Sequence, residues 1–205
     1  MIVIVDYGLG NVASIQNMLR KIGFESIISN NKKDIVNATK LILPGVGSFD
    51  KGVINLKEKK LWDILNTRVI EAKTPILGIC LGMQLMTKYS DEGKLNGFGW
   101  LDAQTIKFDF SKQKDFKLKI PHMGWNLLTI KNKESLYCDW NSEARFYFVH
   151  SYHVICNKLD NITATAFHGH DITASFHKDN IYGVQFHPEK SHKFGMKLLK
   201  AFAEI

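Results

Sequence analysis

The chain has 205 residues, 45% hydrophobic and 23% charged, which is the composition of a globular protein and excludes a disordered or fibrous one. Lys and Arg number 27 against 20 Asp and Glu, a net charge of +7, which permits an anionic partner but is equally met by scattered solvated lysines. No apolar run reaches the ~20 residues of a membrane span, and three widely spaced cysteines form no disulfide framework, so a chain without a membrane segment, in a reducing cytoplasmic setting, is expected.

The first half alternates strands and helices. Ile2–Val5 is an unbroken apolar run ending at Asp6. Such a run lacks polar alternation and predicts a strand buried on both faces. It also lacks the basic flank of a signal peptide. After the loop at 7–11, Ile15, Met18, Leu19 and Ile22 fall on one helical face, and Gly23 stops the helix. Phe24–Ser29 is a second strand. Leu41–Leu43 is a third, ended by Pro44-Gly45-Val46-Gly47. A helix is predicted over about 56–70. Pro75–Ile79 is a fourth strand, running into Cys80-Leu81-Gly82 and a helix to about Tyr89. This order implies a mostly parallel α/β sheet with right-handed crossovers and helices on both faces.

Beyond Gly99 the texture changes. Lys112–Lys119 reads as a charged loop. Leu127–Ile130, Phe146–Val149, Tyr152–Cys156, Ile162–Phe167, Ile172–Phe176 and Ile181–Phe186 read as short strands, antiparallel where they alternate. They extend the sheet or pack on it. A last helix carries Phe194, Leu198, Leu199 and Phe202. No repeat or linker divides the chain, so residues 1–205 are expected to form one domain.

Gly78-Ile79-Cys80-Leu81-Gly82 fits the nucleophile elbow, G-x-nucleophile-x-G, with cysteine in the serine position. The flanking glycines relieve collisions in the tight turn, and the sulfur is pushed out above the sheet. A helix N-terminus favours a thiolate there. The Leu81 amide points at the same spot and can donate to an oxyanion. A second constellation is His187-Pro188-Glu189 after the strand at 181–186. In extended backbone the two side chains share a face, and a carboxylate beside an imidazole fixes its tautomer. Glycines at 45 and 47 allow close backbone approach to a substrate and a second oxyanion donor at Val46 or Gly47.

Three rival readings fail on the same sequence. Gly8-Leu9-Gly10-Asn11-Val12-Ala13 fits G-x-G-x-x-A, but the region about 20 residues on reads Ser29-Asn30-Asn31, without the acid a dinucleotide ribose needs. No CxxC or HExxH pattern supports a metal, and His168-Gly169-His170 reads as solvated turn chemistry at a hairpin tip. Trp100, Trp125 and Trp140 show no aromatic–basic interleaving, which leaves nucleic-acid binding unsupported.

The segments Asp6-Tyr7-Gly8-Leu9-Gly10-Asn11, Pro44–Gly47, Gly78–Gln84, Pro121-His122-Met123-Gly124-Trp125-Asn126 and His187-Pro188-Glu189-Lys190 together resemble the class I (triad) glutamine amidotransferases. The resemblance runs from the first residue to the last helix. It implies the family's flavodoxin-like fold and its reaction, hydrolysis of L-glutamine by a Cys80–His187–Glu189 triad without a cofactor. It implies oxyanion donors at Leu81 and in the Val46–Gly47 stretch. Gly45, Gln84, Glu92, His150 and Ser151 become substrate-binding positions, the last two through backbone groups. It further implies a heterodimer in which ammonia passes to a (β/α)8-barrel cyclase or synthase subunit. Asn11, Trp125, Tyr147 and Lys190 match positions near that interface. The stretch Gly97–Ala103 and the lysine-rich loop depart toward paralogues that feed sugar-amidating enzymes. The other functions compatible with the residues are a cysteine peptidase or γ-glutamyl hydrolase on the same sheet, and a non-catalytic binding module.

Overall fold

The computed structural model describes residues 1–111, 118–133, 135–140 and 143–205; most of the predicted charged loop lies outside them. In chain order the elements are β1 (Ile2–Val5), α1 (Val12–Lys21), β2 (Ser26–Ser29), α2 (Lys32–Val36), β3 (Lys40–Gly45), α3 (Phe49–Glu58) and α4 (Trp62–Asn66). Then follow β4 (Ile76–Cys80), α5 (Leu81–Leu85), β5 (Ala103–Lys107), β6 (His122–Leu127), β7 (Thr129–Ile130), β8 (Arg145–His150) and β9 (Tyr152–Cys156). The chain closes with β10 (Ile162–Phe167), β11 (Asp171–Lys178), β12 (Ile181–Val184) and α6 (His192–Glu204).

An eight-stranded sheet runs β2-β1-β3-β4-β12-β11-β10-β7. The pairs from β2 through β4 to β12 are parallel, and those from β12 to β7 antiparallel. Two antiparallel ribbons, β5–β9 and β6–β8, stand apart from it. The antiparallel half therefore does both things the sequence allowed: it extends the sheet and packs on it.

All four residues of β1 are buried, and they alternate between two cores. Ile2 and Ile4 join Ile15 and Leu19 of α1 and Leu198, Leu199 and Phe202 of α6. Val3 and Val5 join Val53 and Leu56 of α3, Leu65 of α4 and Leu81 of α5 on the opposite face. A sheet covered on both faces needs continuous apolar strands, which is what β1, β3 and β4 supply.

Several boundaries differ from the predicted ones. The helix expected over 56–70 is two: Lys60 takes φ 57° after Glu58, and a new helix starts at Trp62, passing into a π-helical turn over Thr67–Glu71. β2 starts at Ser26, not Phe24, and β3 continues through Pro44 to Gly45 because it has β4 as a partner to that point. The predicted strand at 127–130 divides between β6 and β7, and β12 ends at Val184. The helix after Cys80 ends at Leu85 and does not reach Tyr89. There the Leu85 and Met86 carbonyls accept from the Phe98 and Leu101 amides at 2.8 and 3.2 Å, and the Thr87 hydroxyl donates back to the Gln84 carbonyl at 2.8 Å. Carbonyls taken by an incoming loop cannot extend the helix. Among the described residues no helix is long and apolar enough to cross a membrane.

Candidate active site

The site stands at the carboxyl edge of the parallel strands, where open α/β sheets place their ligands. β3 and β4 end together with Gly45 opposite Cys80, and β12 ends beside them with Val184 opposite Ile79. A cavity of about 500 Å3 opens there.

Cys80 has φ 52°, a left-handed conformation that a non-glycine residue holds only under tight constraint. The constraint is visible on both sides. A Cβ at Gly78 would stand 2.8 Å from the Gly82 carbonyl, and one at Gly82 would stand 1.8 Å from the Leu43 carbonyl oxygen. Both flanking positions of the elbow therefore require glycine. A Cβ at Gly45 would meet the Tyr7 hydroxyl at 2.4 Å and Leu81 Cβ at 2.8 Å, so this residue forms a close-fitting back wall rather than pocket lining. Val46, Gly47, Leu81 and Cys80 line the cavity. Gly47 has φ 102°, and a Cβ there would touch nothing, which leaves the backbone of this stretch room to turn.

His187 lines the same cavity. Its Nδ1 lies 2.8 Å from Glu189 Oε1, and both side chains are almost wholly buried. A carboxylate cannot donate, so Nδ1 carries the proton and Nε2 is left for Cys80. Burial lowers the His187 pKa, but the nearby Cys80 and the Glu189 carboxylate outweigh it and push the value up to about 10. Nε2 itself has no hydrogen-bond partner among the described residues, and the Cys80 thiol donates instead to the Val149 carbonyl at 3.9 Å. The pair is not extended as the sequence suggested. Only His187 is extended, and Pro188–Lys190 form a single 3-10 turn. Proline with its fixed φ suits a turn's first position, and the turn folds Glu189 back onto the imidazole. A Cβ at Gly195 would stand 1.8 Å from the Pro188 carbonyl, so α6 closes tightly beneath that turn. The His187 amide donates to the Tyr147 carbonyl at 2.9 Å, tying His187 to β8.

The remaining cavity wall includes Gln84, Glu92, His150 and Ser151, the polar positions that the resemblance implied. The Phe49 amide, at the start of α3, donates to Glu92 Oε2 at 2.8 Å. Burial raises the Glu92 pKa, the Phe49 hydrogen bond opposes this, and Asp50 adds to it. Gln84 Nε2 donates to the Tyr152 carbonyl and to Gln185 Oε1, both at 3.1 Å.

Tyr7 and Gln185, given no role by the sequence reading, belong to this neighbourhood. Gln185 Nε2 approaches Cys80 Sγ at 3.7 Å. The Tyr7 hydroxyl is buried without a hydrogen-bond partner, and burial, then the Cys80 charge, raises its pKa. Only the strand order could have revealed either residue.

The four interface candidates stand on the surface near this edge. Trp125 and Tyr147 are cross-strand neighbours with ring centroids 6.2 Å apart, and Lys190 Nζ lies 5.7 Å from the Tyr147 ring. Asn11 is exposed ahead of α1; its neighbour Gly10 abuts Pro44. Along β6 the side chains alternate, with Met123, Trp125 and Leu127 exposed by 61%, 45% and 48% while His122 is buried.

His168 and His170 are not simply solvated. They sit at the β10–β11 hairpin tip as expected, but their rings pack inward. His168 stacks on His122 with centroids 4.2 Å apart, and His170 lies 5.1 Å from His153. All four surround Phe108, whose burial draws the imidazoles in.

The sequence model of the family "Glutamine amidotransferase class-I" matches residues 3–205. The chain is 57% identical over 202 residues to the imidazole glycerol phosphate synthase subunit HisH 2 of Methanococcus maripaludis, covering 98% of each. It is 43% identical over 205 residues to the subunit of the same name from Pseudomonas aeruginosa, covering all of both. In fold it is similar to the structure of PurLQS from Thermotoga maritima, with a TM-score of 0.75 at 18% identity, over 99% of this chain and 97% of that one. Likeness of this extent, held from one end to the other, decides the assignment: the chain belongs to the class-I glutamine amidotransferases, among the HisH-type subunits.

Proposed function

We propose that the chain is a glutaminase that hydrolyses L-glutamine to glutamate and ammonia for a synthase partner in histidine biosynthesis. The observation that carries this reading is that Cys80 and His187 line one cavity, with Glu189 buried behind His187 and hydrogen-bonded to it. Cys80 attacks the side-chain amide carbon of glutamine. His187 takes the thiol proton and returns it to the leaving nitrogen, and ammonia departs. The acyl group remains as a thioester, which a water deprotonated by His187 then cleaves. Glu189 holds His187 in the tautomer that faces the sulfur. The Leu81 amide and one from the Val46–Gly47 stretch stabilise the oxyanion. Gln84, Glu92 and the backbone of His150 and Ser151 hold the amino-acid end of the substrate, and Gly45 keeps the wall behind it closed. Residues 1–205 act as one amidotransferase domain, in the cytoplasm, where the three free cysteines stay reduced.

Free ammonia in water near neutral pH becomes mostly ammonium and loses its nucleophilicity. A covered route avoids this, so the product is passed to a (β/α)8-barrel cyclase seated over Asn11, Trp125, Tyr147 and Lys190. The apolar stripe on β6 supports an obligatory partner there.

Replacing Cys80 by Ala is the direct test. Glutamine-dependent turnover of the complex should vanish while turnover on added ammonium salt persists. Residual glutaminase in that variant refutes the reading.

A second acceptor, an amidating enzyme of a surface-polysaccharide sugar, is favoured by one observation. The two relatives quoted above carry the number 2 in their names, while others are numbered 1 or carry no number, and a numbered subunit leaves room for a second destination. Coupled turnover with a purified cyclase and its phosphoribosyl substrate separates the two: its absence selects the sugar pathway.

A further inference from the structure

The inner face of β6 carries a chain of hydrogen bonds that the hydrolysis scheme does not use. Asn126 Nδ2 lies 3.1 Å from His122 Nε2. His122 Nδ1 lies 2.9 Å from His150 Nε2. His150 Nδ1 lies 2.8 Å from the Tyr152 carbonyl. That carbonyl also accepts from Gln84 Nε2, which reaches Gln185, and Gln185 Nε2 points at the Cys80 sulfur.

The proton positions follow from the ends of the chain. A carbonyl only accepts, so His150 Nδ1 carries a proton. A neutral His150 then offers Nε2 as an acceptor, and His122 Nδ1 must be its donor. His122 Nε2 is left to accept from Asn126. The Asn126 amide is oriented independently, since its Oδ1 accepts from the Leu127 amide at 2.8 Å and its Nδ2 donates to the Phe167 carbonyl at 2.8 Å. One assignment therefore satisfies every atom, with both rings neutral. Burial holds them so: it lowers His122 to about 4, helped by His168, and lowers His150 well below the ordinary imidazole value, helped by His122, His153 and His168 against the Tyr152 bond. A second proton on either ring would turn an acceptor nitrogen toward a donor.

The two ends of this chain differ in kind. Met123, Trp125 and Leu127 lie on the outer face of β6, alternating with His122 and Asn126 on the inner one. At the other end His150, Ser151 and Tyr152 line the cavity that holds Cys80. We propose that His122 is a positioning residue for the glutaminase: it is the buried donor to His150 Nε2 that holds the His150 ring in place and, through it, the Tyr152 carbonyl shaping the glutamine pocket, so that β6 and the pocket share one register. The kinetic part of this proposal rests on the glutaminase reading; the tautomer assignment does not.

His122→Phe keeps the ring volume against Phe148 and His168 and removes both hydrogen bonds. In the full complex it should raise KM for glutamine about tenfold, the effect of losing one buried hydrogen bond, with kcat within about threefold. His122→Asn, whose Nδ2 can stand near the Nδ1 position, should return KM to within about threefold of the wild type. A merely structural role would lower Tm in both variants and leave KM alone, and that result overturns the proposal. Nitrogen-15 NMR of the wild-type rings near pH 7 provides a reading independent of any variant's folding. Both should be neutral Nδ1–H tautomers, and an Nε2–H tautomer or a charged ring at either position overturns the proposal. Loss of the glutaminase reading would show as a wild-type complex unable to use glutamine while the NMR result still decides the chain of tautomers.

Discussion

Gly82 lies so close to Leu43 that a Cβ on it would stand 1.8 Å from the Leu43 carbonyl oxygen. The contact joins α5 to β3 at the last residue of the elbow and sets the height of Cys80 above the sheet. Backbone on one side and a buried strand on the other leave no room to yield. Gly82→Ala should cost about 3 kcal/mol or more, at the upper end of core overpacking. For a domain of this size that lowers Tm by about 6–12 °C. A thermal unfolding curve that matches the wild type would show the elbow to be looser than this contact requires.

Glu189→Gln keeps a hydrogen-bond acceptor opposite His187 Nδ1 and removes the charge. The imidazolium formed during proton transfer loses its counter-ion, so kcat should fall by about a hundredfold or more, the range for disabling a general base. KM should change little, because Glu189 lies behind His187 and not on the cavity wall. The sign of the pH effect follows from the causes of the His187 shift. Glu189 is one of the groups raising that pKa to about 10, so its neutralisation lowers it, and the limb of the pH–rate profile belonging to His187 should move to lower pH. A profile that stays in place would separate Glu189 from the titration of the base.

The elbow was legible in the sequence because its requirement is local: two glycines and a cysteine in five residues describe one turn. The His187–Glu189 pair was legible as a motif, although its backbone was misread, since Pro188 suits a 3-10 turn as well as an extended strand. The buried network was not legible. Gln84 meets Tyr152 across 68 residues and Gln185 across 101, and no local pattern encodes contacts that depend on strand order. The early end of α5 was hidden for the same reason, because the groups that take its carbonyls come from the loop at 97–101.

The histidines around Phe108 should make the fold sensitive to acid. Burial lowers His122 and His153 to about 4, with His168 acting on the first and His170 on the second. A folded pKa below the unfolded one means that the unfolded chain takes up protons first. Stability is then full above about pH 6.5 and lost as pH falls from there toward 4, by up to ~1.4 kcal/mol per pH unit for each such ring. His153 is the cleaner probe, because neither ring nitrogen forms a hydrogen bond and it lines no part of the Cys80 cavity. His153→Phe should keep the stack on Phe108 and flatten the fall of Tm between pH 6.5 and 4.5. An equally steep fall in that variant would assign the acid sensitivity to other groups.

Trp125 offers the sharpest test of the proposed docking face. It is 45% exposed, yet it is held on three sides: Tyr147 stands edge-on across the ribbon, His192 stacks on it at 5.7 Å, and β8 fixes its backbone. A large side chain kept rigid in solvent loses little entropy when a partner covers it, which is the character of an interface anchor. Trp125→Ala should therefore weaken assembly with the synthase subunit by about 2 kcal/mol or more, roughly thirtyfold in Kd. The Tm of the isolated chain should change by only a few degrees, because the removed ring is half in solvent. Calorimetric titration of the partner into each chain gives the comparison. Affinity that survives the truncation would move the docking face away from β6, and with it the outer end of the hydrogen-bond chain through His122.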